Sequence, residues 1–359
     1  MFAARDKPLQ LRAVHLQLPL IVPYRLAFGE QRQFDVILVG VRDRDGRSGW
    51  GEATILPGYT TETIEGGWLT AQYILSHCNT SQEVWRAAQL AAKDSPFIAT
   101  AFLTALDWLE AHPFLSRAGR FPLLGTVNGK SEQRAALAAE IEALLATGYK
   151  TLKVKIGWDV AKDLEQVNTV RAIAAGRAQL RVDGNQGYSR DQAVTFLSQL
   201  DPAGIELVEQ PCAAGDWDAA VAVKRAANVP IMLDEGIYTL DDIERAASLG
   251  CADYIKLKLM KLGSLDKLAY GLQMIADEGM KAVLGNGVAA DLGCWMEIAT
   301  ALGTVTTAGE MNGFLKTRPQ LLLPPLRMEG ADVVLDGKLP DINETTLRDY
   351  AVGHAGGWS

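Results

Sequence analysis

The strongest constraint on the fold is a steady spacing of chemically distinctive residues through the later part of the chain. Each ends a short apolar run, and successive members are 30, 26, 25, 24, 27 and 25 residues apart. They are Lys153, Asp183, Glu209, Asp234, Lys258, Gly285 and Glu310. Helical patterns lie between these runs, and such alternation is typical of parallel strands joined by crossover helices. About eight units of this kind close a barrel of roughly 200 residues.

The first third of the chain has a different pattern. Two β-like runs, residues 11–21 and 34–41, precede three helical stretches between residues 63 and 111. Strands followed by a run of helices indicate an α+β unit. We therefore predict an α/β protein with an α+β capping domain over residues 1–120 and a modified (β/α)8 (TIM-like) barrel over residues 121–324. We expect residues 325–359 to pack back on the cap.

Composition excludes several classes of protein. The net charge of −8 argues against nucleic-acid binding, which usually requires a basic face. The sequence has no apolar run of the 18 or so residues that a membrane span needs, and residues 1–11 lack a secretory apolar region. None of the four cysteines forms a CxxC pair. We expect a cytoplasmic protein without nucleic-acid or membrane partners.

Three carboxylates occupy consecutive strand ends. Asp183, Glu209 and Asp234 each close an apolar run, and an unpaired buried carboxylate costs several kcal/mol. The carboxyl ends of barrel strands meet in one mouth, so these three side chains should converge there. Converging anions need a cation, and oxygen ligands without histidine or cysteine favour Mg²⁺. We predict a magnesium site in which Mn²⁺ can substitute.

Lysines are expected on both sides of this site. Lys153 and Lys155 lie two apart on one strand, so their side chains share a face. Their mutual repulsion and burial should lower a lysine pKa toward the range of a general base. Lys258 approaches the mouth from the opposite side. A substrate carbon between Lys155 and Lys258 could lose a proton to one and regain it from the other, while a cation stabilises the charge that develops on an adjacent carboxylate.

The chain resembles the enolase superfamily and, within it, the muconate lactonizing enzyme (muconate cycloisomerase) subgroup. The resemblance rests on five stretches in order: Thr151-Leu-Lys-Val-Lys-Ile-Gly157, Arg181-Val-Asp-Gly-Asn-Gln186, Val208-Glu-Gln-Pro211, Leu233-Asp-Glu235 and Ile255-Lys-Leu-Lys-Leu-Met-Lys-Leu-Gly263. It implies that Asp183, Glu209 and Asp234 bind the metal. It also implies that Lys155 and Lys258 transfer protons and that Lys153 tunes the pKa of Lys155.

Substrate contacts are expected from the cap and from three barrel positions. The resemblance assigns the lid to two loops, which carry Tyr24, Arg25, Phe28 and Tyr59. Asn286 follows the seventh strand, and Glu310-Met311-Asn312 ends the eighth. This last triplet lacks the Asp-x-Asp motif expected of dipeptide epimerases and is closer to the single Glu of cycloisomerases. Lys256 should also point into the mouth, where pairing with Asp234 or Glu235 and contact with substrate are both open.

The fate of the deprotonated substrate leaves several functions open. The first choice is an isomerase that acts on a small carboxylate, either cycloisomerase-like or a racemase or epimerase of an amino-acid derivative. A dehydratase, a lyase or an o-succinylbenzoate-synthase-like β-elimination is the alternative within enzymes. A barrel that binds carboxylates without turnover is the alternative outside them. The resemblance also implies a homo-oligomer.

Overall fold

The cap is built on a four-stranded antiparallel sheet with strand order β16-β1-β2-β3. The computed structural model describes residues 6–26, 29–56, 60–286 and 288–358. The elements of the cap are β1 (Leu9–Leu26), β2 (Gly29–Asp43), β3 (Ser48–Thr54), β16 (Ala351–Gly356), α1 (Ile64–His77), α2 (Ser81–Ala91) and α3 (Pro96–Leu109). The C-terminal strand β16 thus pairs with the N-terminal strand β1.

Helix α3 joins the cap to the barrel. Almost all of its residues are buried, and it packs against β3 on one side and near Met260 of the barrel on the other. Strand β3 approaches the helix so closely that a Cβ on Gly51 would lie 1.8 Å from the carbonyl oxygen of Ala101. Only glycine allows this approach. The neighbouring Glu52 is thereby held at the boundary between cap and barrel.

A curled parallel sheet of seven strands forms the barrel wall, with order β11-β10-β9-β8-β7-β6-β5. Its strands are β5 (Gly125–Val127), β6 (Thr151–Lys155), β7 (Gln179–Asp183), β8 (Ile205–Glu209), β9 (Ile231–Leu233), β10 (Tyr254–Leu257) and β11 (Lys281–Leu284). The helices on this part of the chain are α4 (Arg134–Thr147), α5 (Val160–Ala174), α6 (Arg190–Gln199), α7 (Trp217–Ala226), α8 (Leu240–Leu249), α9 (Leu259–Leu262), α10 (Leu265–Asp277) and α11 (Asp291–Ala301).

The eighth position of the barrel is filled by a very short segment. Gly309 forms a parallel bridge with Leu123 on one side, and Glu310 forms one with Gly285 on the other. The backbone N–H of Glu310 donates to the carbonyl of Leu284 at 3.0 Å, and Leu124 donates to Gly309 at 3.0 Å. These bonds connect the two edge strands, β11 and β5. The barrel is therefore closed, although its last wall is only a few residues long.

Most crossover helices begin at a side chain that caps them. An aspartate, serine or threonine precedes the helix and accepts a hydrogen bond from a backbone N–H of the first turn, which satisfies a group that the helix cannot pair internally. These capping residues are Asp159, Ser189, Asp216, Thr239 and Ser264. These side chains therefore define where five of the helices between the barrel strands begin.

The remaining elements pack beside the segment near residue 120, where the chain enters the barrel. Strands β4 (Ala118–Pro122), β13 (Arg327–Glu329) and β14 (Asp332–Asp336) form one small sheet, and β12 (Leu322–Leu323) pairs with β15 (Asp341–Ile342). Helix α12 (Glu344–Tyr350) then leads back to the cap. Among the described residues, no helix combines the length and apolar character needed to cross a bilayer.

A buried arginine closes the floor of the barrel. Arg181 lies two residues before Asp183 on β7, so both side chains share the inner face of the strand. Its guanidinium is fully buried, makes two 3.0 Å hydrogen bonds to Glu206 and donates to the carbonyl of Ala308 at 2.7 Å. Arg181 thereby connects β7 to the segment that completes the ring.

We predict that Arg181→Ala destabilises the protein strongly. The substitution leaves the Glu206 carboxylate and the Ala308 carbonyl without their partner, a change that typically costs roughly 3–5 kcal/mol. Urea denaturation followed by circular dichroism measures the loss. Arg190→Ala, at an exposed position, is the control and should change the free energy of unfolding by less than about 0.5 kcal/mol. Equal effects of the two substitutions would contradict the role given to Arg181.

Candidate active site

The three predicted carboxylates meet at one end of the barrel. Asp183 and Glu209 are the last residues of β7 and β8 and pair in register, and Asp234 directly follows β9. Their relative exposures are 0%, 0% and 3%. Three carboxylates on adjacent strand ends are thus almost completely removed from water, and positive partners must compensate them.

The two lysines of β6 reach this cluster at different depths. The Nζ atom of Lys153 lies 2.8 Å from both Asp183 Oδ2 and Glu209 Oε2 and 2.9 Å from Glu310 Oε1. Lys155 Nζ donates to Asp183 Oδ2 at 2.5 Å and also to the side-chain oxygen of Asn185. The Lys153 side chain is 5% exposed, whereas that of Lys155 is 38% exposed. Lys155 is therefore the member of the pair that a ligand in the mouth can reach.

Lysines from β10 and its continuation approach from the other side. Lys258 follows β10, precedes the short helix α9, and places Nζ 2.6 Å from Asp234 Oδ1. Lys256, on the strand itself, lies 3.0 Å from Glu209 Oε1, 3.3 Å from Asp234 Oδ2 and 2.6 Å from Glu310 Oε2. Of the alternatives left open for Lys256, a contact with Asp234 is present, but the shortest contact of Lys256 is with Glu310.

Charge pairing controls the ionisation of the cluster. Burial raises the pKa of Glu310, but the charges of Lys153 and Lys256 outweigh burial and hold that pKa well below its usual range. Burial and the nearby Asp183 raise the pKa of Glu209 to about 7. For Lys153, burial lowers the pKa, but Asp183, Glu209 and Glu310 together raise it above its ordinary value. The expected lowering of a lysine pKa by repulsion and burial is therefore not found at Lys153, because carboxylates surround it.

The ligand atoms that the cluster offers are of the chemical type that a hard divalent cation prefers. Asp183, Glu209 and Asp234 offer carboxylate oxygens on adjacent strand ends, and the buried Glu209 Oε2 accepts no hydrogen bond despite its closeness to Lys153. Among the described residues, however, no three acidic, histidine or cysteine side chains have the spacing of a metal site as they stand. The ammonium groups of Lys153 and Lys256 lie between the carboxylates. A cation could gather these oxygens only if an ammonium group moved.

The structure describes some, but not all, of the residues predicted to contact the substrate. Asn286 follows β11, and its amide donates to Cys294 Sγ at 3.1 Å. The backbones of Tyr24 and Arg25 lie in the β1–β2 hairpin, opposite Gln31 and Glu30. Phe28 and Tyr59 lie outside the described residues. Lys256 and Glu310 face the carboxylate cluster, as their contacts show.

Three charged residues near the site were not predicted from the sequence. Lys261 Nζ lies 2.6 Å from the Asp234 carbonyl and 2.7 Å from that of Ile237, so it holds the loop after β9. Glu52 of the cap accepts hydrogen bonds from the backbone N–H groups of Ala290 and Gly293 at the start of α11. Glu297 of α11 accepts from the Leu259 N–H at 3.0 Å, next to Lys258. One feature of the sequence could have identified Lys261. It lies three residues after Lys258, about one helical turn further along the chain.

We predict that Glu297 makes stability depend on pH. Burial raises the pKa of Glu297 to about 8, so the folded protein keeps this carboxyl protonated at pH values where the unfolded chain, near 4.5, releases the proton. The contribution of Glu297 to the free energy of unfolding is therefore fully present below pH 4.5 and is lost as the pH rises toward 8. Glu297→Gln, which is always neutral, should therefore gain stability relative to the wild type across this range in thermal melts. Glu132→Gln, at an exposed position, is the control, and a constant difference between Glu297→Gln and wild type would contradict the assignment.

Residues 136–339 match the family model described as "Enolase C-terminal domain-like". The chain is 30% identical over 313 residues to an o-succinylbenzoate synthase from Geobacillus stearothermophilus, a match that covers 82% of each chain. It is 33% identical over 283 residues to an aromatic dipeptide epimerase from Herpetosiphon aurantiacus, covering 74% of this chain and 77% of the relative.

The fold likeness extends over nearly the whole chain. A muconate lactonizing enzyme from Pseudomonas fluorescens, solved with muconolactone, superposes with a TM-score of 0.85. The superposition covers 97% of this chain and all of that one, at 21% sequence identity. This likeness confirms the predicted fold class, a TIM-like barrel with an α+β cap.

Proposed function

This chain belongs to the enolase superfamily, whose C-terminal-domain model it matches, and on that premise we propose that it removes the proton α to a substrate carboxylate, with Lys155 and Lys258 as the proton-transfer groups. The chain is a metal-dependent isomerase or lyase; the two relatives named above are a synthase and an epimerase. Among these reactions we favour racemisation or epimerisation of an amino-acid derivative.

The position of the two lysines around the barrel carries the proposal. Lys155 ends β6 and Lys258 follows β10, and these strands are four places apart in a ring of eight. The two side chains therefore come from opposite sides of the mouth, and each contacts a different carboxylate of the cluster. A carbon between them could lose a proton on one face and gain one on the other, which inverts its configuration.

We assign the cation site to Asp183, Glu209 and Asp234, with Mg²⁺ as the resident ion and Mn²⁺ as a substitute. Bound there, the cation would supply Lewis acidity to the substrate carboxylate and stabilise the charge of the deprotonated form. Three carboxylates buried on adjacent strand ends support this assignment. Their oxygens are the ligands that such hard cations prefer.

The protein's own groups prepare the lysines for proton transfer. Lys155, in its neutral form, accepts the α-proton, and Lys258 in its charged form returns one to the opposite face. Asn185 bonds to Lys155 through its oxygen and to Glu235 through its amide at 3.0 Å, so it orients the lysine. Lys153, fixed by three carboxylates, does not reach the mouth and adds positive charge beside Lys155.

The proposed substrate is an amino-acid derivative without a free ammonium group near the eighth strand. A relative that is 33% identical is an epimerase of aromatic dipeptides. In this chain, however, both oxygens of Glu310 are bound by lysines, so Glu310 is already neutralised. An N-acylated amino acid fits this charge pattern better than a dipeptide. Tyr24, Arg25, Phe28, Tyr59 and Asn286 are proposed to contact the acyl group and the side chain.

β-Elimination is the second candidate function. It is favoured by the 30% identity to an o-succinylbenzoate synthase over 82% of the chain. The first step would be the same proton removal, and loss of a β-leaving group would replace the return of a proton. Only one of the two lysines would then be required as a base, so the lysine variants below separate the two functions.

We also propose the organisation in which the enzyme works. Residues 1–120 would form the specificity-determining cap, residues 121–324 the catalytic barrel, and residues 325–359 the return to the cap. The pairing of β16 with β1 supports that return. A cytoplasmic homo-oligomer remains the expected form.

The proposed reaction predicts metal-dependent exchange of the α-proton. Incubation of N-acetyl and N-succinyl amino acids with the protein and Mg²⁺ in D₂O should replace the α-proton by deuterium, which proton NMR detects. EDTA should abolish the exchange, and Mn²⁺ should restore it. Dipeptides and a lactone acid belong in the same panel. Absence of exchange with every compound, for protein shown to be folded, would favour a barrel that only binds carboxylates.

Lysine variants should separate the two faces of the reaction. In a racemase, Lys155→Ala should slow exchange from one enantiomer, and Lys258→Ala should slow exchange from the other. Each rate should fall by roughly 10²–10⁴-fold, because each substitution removes one general base. Lys162→Ala, at an exposed position of α5, is the control and should retain both rates. Loss of elimination in only one active-site variant, with no inversion in the wild type, would favour the lyase instead.

A further inference from the structure

We propose that Lys256 is an internal counter-ion that competes with the divalent cation for Glu209 and Asp234 and moves onto Glu310 when the cation binds. This inference rests on the cation site proposed above.

The contacts of Lys256 coincide with the proposed ligands. Its Nζ lies 3.0 Å from Glu209 Oε1 and 3.3 Å from Asp234 Oδ2, so one ammonium bridges two of the three carboxylates. The Lys256 side chain is only 3% exposed. Water therefore has little access to this ion pair and cannot take the place of the ammonium group. Lys256 and Lys153, which bridges Asp183 and Glu209, together neutralise the cluster.

Lysine and metal cannot share these oxygens in the same positions. A magnesium ion binds carboxylate oxygens at roughly 2.0–2.1 Å and requires their lone pairs to point at it. An ammonium group bonded to the same atoms would lie a few ångströms from a doubly charged ion in a buried site, where like charges repel strongly. Binding of the cation therefore requires the Lys256 ammonium to leave Glu209 and Asp234.

Glu310 is the place to which the ammonium can move. Its Oε2 is already the closest partner of Lys256, at 2.6 Å, and its position is fixed by two 2.9 Å hydrogen bonds from Lys153. Gly285 provides the space for this arrangement, because a Cβ at that position would lie 2.8 Å from Lys256 Cε and 3.1 Å from Glu310 Cβ. The lysine can thus keep one carboxylate while it releases two.

The consequence is a site that is neutralised without metal and binds the cation less tightly than its carboxylates alone would allow. Isothermal titration calorimetry with Mg²⁺ and with Mn²⁺, in the absence of substrate, measures this directly. Lys256→Met keeps the length of the side chain and removes the charge, and it should bind either ion at least about tenfold more tightly than wild type. Lys256→Arg, which retains the charge, should not show this gain.

A matched lysine controls for the change in net charge. Lys281 lies on β11 at the opposite end of the barrel and is exposed, so Lys281→Met should leave the dissociation constant unchanged within about twofold. Thermal melts and circular dichroism establish that each variant is folded. Manganese binding can also be followed by electron paramagnetic resonance, which needs no substrate.

A double-mutant cycle tests the role of Glu310 separately. In wild type, Glu310→Gln deprives Lys256 of its alternative partner and should weaken cation binding. In the Lys256→Met background the same substitution should have a smaller effect, because no ammonium group is left to relocate. Additive effects would overturn the relocation onto Glu310.

The outcomes distinguish this inference from the proposed cation site. Tighter binding in Lys256→Met, including binding where wild type shows none, supports competition. Equal affinity in wild type, Lys256→Met and Lys256→Arg would overturn the inference and leave the cation site standing. Absence of binding in every folded protein would instead overturn the cation site itself.

Discussion

The structure depends on the compensation of buried negative charge at one end of the barrel. Four carboxylates, Asp183, Glu209, Asp234 and Glu310, are brought together where strands end, and none can be solvated well. Each is paired with at least one lysine from β6 or from β10 and its continuation. Removing either sign of charge would leave the other buried and uncompensated, which is far more costly than losing an exposed ion pair.

This compensation links catalysis to folding. The groups that we assign to proton transfer and to cation binding are the same groups that neutralise one another in the structure. Lys153 is buried among three carboxylates, whereas Lys155 is partly exposed at the mouth. The division between fixed and accessible lysines follows from their depth along the strand.

The cap influences the site through buried backbone contacts. Glu52 lies on β3, which packs closely on α3 because Gly51 has no side chain. Its carboxylate accepts hydrogen bonds at the start of α11, the helix that also carries Glu297 beside the backbone of Leu259. A chain of contacts therefore runs from the cap to the residue after Lys258. Such contacts hold a lysine in place without touching a substrate.

The sequence by itself determined the fold class and the central carboxylates and lysines, because strand spacing and strand-end position are local patterns that a barrel converts into proximity. It predicted Asp183, Glu209 and Asp234 as neighbours and placed Lys155 and Lys258 on opposite sides. It did not predict that the eighth wall consists of single bridges at Gly309 and Glu310. Only the tertiary structure decided which carboxylates Lys153 and Lys256 contact and that the pKa of Lys153 is raised. Those properties depend on distances between side chains far apart in the chain, which a linear pattern does not contain.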